Sequence, residues 1–125
     1  MDIAVTDFST IQQLALFDLL ILAMNADGHL PTVEDDLLQQ LLATMGHTDA
    51  LDRQREFDAA VTRIRPFAQS IQKAKGLALL LASAITVRSQ QKKVYAAVQQ
   101  IMTADKHVSS WESTLLSELR LVFRL

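Results

Sequence analysis

Residues 24–41, MNADGHLPTVEDDLLQQL, return 78 positions later as residues 102–119, MTADKHVSSWESTLLSEL. Eight of the eighteen positions are identical: Met24/Met102, Ala26/Ala104, Asp27/Asp105, His29/His107, Glu34/Glu112, Leu37/Leu115, Leu38/Leu116 and Leu41/Leu119. Chance in a chain of this composition would give roughly one or two. The likeness reaches back through Leu16/Val94 and Phe17/Tyr95. Each copy reads as a helix, a short polar turn and a second amphipathic helix, and two such hairpins related by a pseudo-twofold form a bundle.

The flanking sequence has the same character. Ile11, Leu14, Ala15, Phe17, Leu20, Ile21 and Met24 recur at helical spacing and predict a helix over 8–24, capped by Asp7 or Ser9. Gly28 and Pro31 close the connection that follows. A second helix is expected over 32–45, burying Leu37, Leu38, Leu41, Leu42 and Met45 and stopped by Gly46. A third starts at Asp49 or Asp52, carries Phe57, Ala60, Val61 and Ile64, and is broken or kinked at Pro66. Residues 67–75 are more weakly helical. Residues 77–87 are apolar on nearly every side, which predicts a helix enclosed by the others, with a turn near Ser89-Gln90. Val94, Tyr95, Ala97, Val98, Ile101 and Met102 form the next inner face. The last helix runs from Ser109 or Ser110 to about Phe123, burying Leu115, Leu116, Leu119, Val122 and Phe123. No strand pattern is present. The expected fold is all-α: one domain, a compact bundle of about six to seven helices.

Composition agrees. The chain has 125 residues, enough for one domain with a real core, and is 50% hydrophobic with only three Gly and two Pro, which favours helices over sandwiches or barrels. Without Cys, disulfides, thiolate metal sites and cysteine catalysis are excluded. The largely apolar stretch 77–87 is well short of the roughly 20 residues a membrane span needs, and the acidic first residues do not suit a signal peptide. No membrane span and a cytoplasmic location are expected.

Charge is unevenly spread. Residues 1–52 hold nine Asp/Glu and no Lys or Arg, residues 53–93 hold nine Lys/Arg against Glu56 and Asp58, and the rest balances at three and three. A basic middle can attract phosphates or pair with the acidic front half. Without interleaved aromatics or a nucleic-acid motif, no nucleic-acid partner is expected. Lys92-Lys93 and Arg63/Arg65 read as solvated faces, with pairing to the front half as the sharper alternative.

The repeated element is Ala-Asp-x-His-(Leu/Val)-x-x-x-Glu. Ser109 and Glu112 form a capping box in the second copy, while in the first the cap shifts to Thr32 with Asp35. Asn25, Asp27, Gly28, Leu30 and Glu34 match five positions of a calcium-binding EF-hand loop. Ala23 and Ile101 stand where that loop needs its first Asp, so a standard EF-hand is rejected. The stretch Ala26-Asp27-Gly28-His29-Leu30 through Glu34, followed by Leu37-Leu38, resembles the Ala-Asp-Gly…Glu motif of the tellurite-resistance TerB-like superfamily. The second copy, Ala104-Asp105 to Glu112 with Leu115-Leu116, resembles its degenerate counterpart.

That resemblance implies an all-helical domain with an acidic metal cluster where the two motifs meet, and a role in stress response or scaffolding other proteins, not catalysis. The ligands it implies are Asp27, Glu34, Asp105 and Glu112, with His29 and His107 as weaker members that soften the site toward zinc. Calcium, magnesium and manganese are the other candidate ions. Lys106, where the family has Gly, places a positive charge beside Asp105. The plainer reading is that the same Asp and Glu only cap helices, and that His29 and His107 are exposed turn residues. His47 reads as a helix C-terminal contact. Phe57, Phe67 and Tyr95 read as core or near-core. Trp111 is a hairpin anchor or a partner-binding hot spot. No phosphate loop, zinc-protease motif or nucleophile elbow is present, so the chain is expected not to be an enzyme. Other proteins are the expected partners. The oligomeric state stays open, a homo-oligomer included. A metal-independent adaptor is the competing function.

Overall fold

The computed structural model describes residues 7–26, 36–103 and 110–125. Among them are six α-helices, α1 (Thr10–Ala26), α2 (Asp36–Thr44), α3 (Ala50–Ile64), α4 (Ile71–Ala82), α5 (Arg88–Thr103) and α6 (Ser110–Phe123), with a 3₁₀ turn at Arg65–Gln69 and no strand. The fold is all-α, as expected.

Local chemistry sets the helix ends. Ser9 and Gln12 make a capping box at α1: the Gln12 N–H donates to Ser9 Oγ at 3.2 Å and the Ser9 N–H to Gln12 Oε1 at 2.9 Å. Asp49 caps α3 and Ser70 caps α4. Pro66 has no N–H to continue α3, and the chain tightens there into the 3₁₀ turn. Gly46, at φ +103°, ends α2. Its N–H donates to the Ala43 carbonyl and that of His47 to Leu42, the paired bonds of a Schellman stop. The expected Thr32/Asp35 cap lies outside the described residues.

The enclosed helix is α1, not the 77–87 stretch. Residues 15–23 of α1 are all buried, so every side of the cylinder is covered, and α1 touches every other helix. By contrast, α4 buries Ala74, Ala78 and Ala82, one small residue per turn, while Leu79 and Leu80 face outward. The apolar run misled because Leu79 and Leu80 lie on the face away from Ala78 and Ala82, with Leu77 and Leu81 half-buried at its flanks, and the small alanine side chains let α4 lie close to α1 and α6. The turn falls at residues 83–87 and not at Ser89-Gln90, which already belong to α5. Ile11 and Leu14 in the first turns of α1, Phe67 in the 3₁₀ turn and Val122 in α6 are exposed instead of core. The remaining inner faces largely agree with their spacing: Leu38, Leu41 and Leu42 of α2, Phe57, Ala60, Val61 and Ile64 of α3, and Leu115, Leu119 and Phe123 of α6 are buried, Met45 and Leu116 are half-buried against the core, and the side chain of Leu37 lies outside the described residues.

The repeat survives in three dimensions. Shifting Thr10 by 78 gives Arg88, the first residue of α5, and shifting Thr44 gives Val122, one short of the end of α6. Leu16/Val94, Leu20/Val98 and Leu41/Leu119 are buried in both copies. Gln12 and Gln90, also 78 apart, make reciprocal bridges. Gln12 Nε2 donates to the Ala84 carbonyl just before α5, at 3.2 Å, and Gln90 Nε2 donates to the Asp7 carbonyl just before α1, at 2.9 Å. The two long helices are thereby stitched together at their N-terminal ends.

Candidate functional site

The far ends of α1 and α5 carry the motifs. Leu22 and Ala23 in α1 and Met102 in the last turn of α5 line one small apolar cavity, joined by Ala78 of α4 and Leu115 of α6. With their N-terminal ends bridged and their C-terminal portions sharing a cavity, α1 and α5 run side by side in the same sense. The connection after Ala26 and the connection after Thr103 therefore leave from the same end of the bundle.

Asp27, His29, Glu34, Asp105 and His107 lie on those connections, outside the described residues. Glu112 and Trp111 fall in the first turn of α6 by their backbone, and their side chains lie outside the described residues too. Among the described residues, no group of three or more His, Asp or Glu is arranged to hold a metal ion. None of their helices is long and apolar enough to cross a membrane.

The described electrostatics answer part of the charge asymmetry. Arg63 of α3 donates to Asp18 of α1 at 2.6 Å, and Lys93 of α5 to Asp7 at 3.4 Å, so the basic middle does pair with the acidic front. Lys75 of α4 meets Glu118 of α6 at 3.3 Å. Asp18 is buried, and burial pushes its carboxyl above the ordinary value while the Arg63 guanidinium pulls it back. His47, past the Gly46 stop, bonds Asp52 through Nδ1 at 2.9 Å and holds the exit of α2 against the first turn of α3. Arg53 reinforces that corner, donating to the Thr48 carbonyl and to Gln39 Oε1, both at 2.6 Å.

Sequence reasoning gave Asp18 and Gln90 no bonding role, and set Gln90 in a turn. A lone carboxylate within an otherwise apolar helix pointed to the first, and the Gln12/Gln90 identity at the repeat offset pointed to the second. Comparison with family models, with curated proteins and with solved structures finds no match.

Proposed function

We propose that the chain is a cytoplasmic, non-enzymatic TerB-like module of stress or metal response, in which Asp27 and Glu34 of one motif and Asp105 and Glu112 of the other hold a divalent cation. The observation that supports this reading is the exit of both motif-bearing connections from one end of the bundle. Two short acidic stretches 78 residues apart in sequence are thereby given a common destination. The donor chemistry fits. Four carboxylates are hard oxygen ligands suited to calcium, magnesium or manganese, and His29 and His107 add the imidazoles that favour zinc. The ion would neutralise the carboxylates and tie the α1–α2 hairpin to the α5–α6 hairpin, presenting the Trp111 end to protein partners.

An amide NMR titration of the metal-free chain with calcium, magnesium and zinc tests this. Saturable shifts over both 26–34 and 104–112, lost together in Asp27→Ala or in Glu34→Ala, are expected. A cation at about a hundred times its Kd should raise stability by about 2.7 kcal/mol. Flat spectra at millimolar ion would reduce both motifs to helix caps and leave the ion-independent adaptor as the function.

A further inference from the structure

The opposite end of the bundle gathers four helix ends. The glutamine bridges join the starts of α1 and α5, and the Gln12 bond to Ala84 brings the close of α4 alongside. Arg88, the first residue of α5, donates to the carbonyls of Phe123 and Arg124, which adds the close of α6. Each of these ends exposes an aliphatic side chain: Ile11 at 73%, Leu80 at 68%, Val87 at 49% and Leu121 at 71% of full exposure. Arg88, Lys92, Arg120 and Arg124 stand among them, all exposed. Of the described carboxylates on or just before the helices that end here, Asp7 pairs with Lys93, Asp18 with Arg63, and Glu118, more than a turn inside α6, with Lys75. A protein with a formal net charge of −2 thus has one basic, aliphatic pole.

We propose that this pole docks on an anionic membrane surface. Cations facing anionic headgroups each contribute about a fivefold gain in partitioning. Aliphatic side chains at the tips of helices can enter the boundary between headgroups and acyl chains. The composition argues against a protein groove as the occupant. Phe8 and Phe123, the described aromatic rings at this end, are both buried, so the face lacks the exposed aromatic anchors that dominate protein contacts. A symmetric contact with the same end of a second copy would set like charges against each other. The inference is independent of the motif connections, which leave from the other end.

Co-sedimentation of the full chain with vesicles tests it, using phosphatidylcholine alone and phosphatidylcholine with phosphatidylserine at roughly three to one, an anionic surface of the kind that attracts basic segments. Binding to the anionic vesicles only, weakened by salt, is expected. Lys92→Gln and Arg124→Gln should each lower partitioning by about fivefold. The double variant Ile11→Ser, Leu121→Ser should lose vesicle binding with its thermal midpoint and circular dichroism unchanged, because both side chains are exposed. Failure to sediment, equal binding to neutral vesicles, or indifference to these substitutions would overturn the proposal. So would saturable amide shifts at this pole with a soluble polyglutamate peptide in the absence of vesicle binding. A concentration-dependent mass in sedimentation equilibrium that the same substitutions abolish would assign the pole to self-association and overturn it as well.

Discussion

Asp18 shows how one side chain constrains the interior. Its carboxylate sits in a helix that is otherwise buried among hydrocarbon, and it has a single described charged partner, Arg63, whose own side chain is 46% exposed. Replacing Arg63 by Met strands the buried charge and should cost about 2 kcal/mol, less than a fully enclosed pair would because water reaches the guanidinium. The sign of the pH response follows from the raised carboxyl. Between its ordinary value of 3.8 and the raised value, the folded chain binds the Asp18 proton more tightly than the unfolded chain does. Stability from this group is therefore gained as pH falls through that window and absent at neutral pH. The urea midpoint of the native chain minus that of Asp18→Asn should rise on acidification from pH 7, and a flat or falling difference would refute the assignment. The Asp was visible in the sequence as an interruption in an apolar run. Its partner was not, because Arg63 lies 45 positions away and only the docking of α3 brings it there.

At the level of the helix, α4 carries the clearest lesson. Hydropathy cannot tell which face of an all-apolar run turns inward, and side-chain size decided here. Ala78, one of three buried alanines per successive turns and a wall of the small cavity, leaves little room for a larger residue. Ala78→Leu should cost about 1–3 kcal/mol by overpacking. Leu80→Ala, on the exposed face, should stay within about 0.5 kcal/mol. Chemical denaturation of both variants checks the pair, and the reverse order would return the 77–87 stretch to the centre of the bundle. Helices with a clean periodic face, α3 and α6 above all, are readable from spacing, with Gly46 marking the end of α2 and Asp49 the start of α3. The candidate site was readable as a repeated motif. What sequence could not supply was that the two copies leave from one end, because that depends on the mutual direction of α1 and α5.

Across the whole molecule, the two hairpins close around a shared centre, with α1 touched by every other helix and α6 lying against α1, α4 and α5. A chain truncated before Ser110 would uncover the sides of α1, α4 and α5 that α6 covers. It should bind a hydrophobic dye and lose its cooperative thermal transition, whereas independent folding of residues 1–109 would show that α6 is an accessory. The central place of α1 also has a consequence during biosynthesis. The most apolar of the six helices, α1, leaves the ribosome before the five that cover it, and α6 is made after the other four. At a synthesis rate of about 5–20 residues per second, the stretch around Leu16–Ala23 waits on the order of 5–20 s for α6 to emerge. During that interval the nascent chain presents an apolar surface of the kind that chaperones hold and that otherwise aggregates.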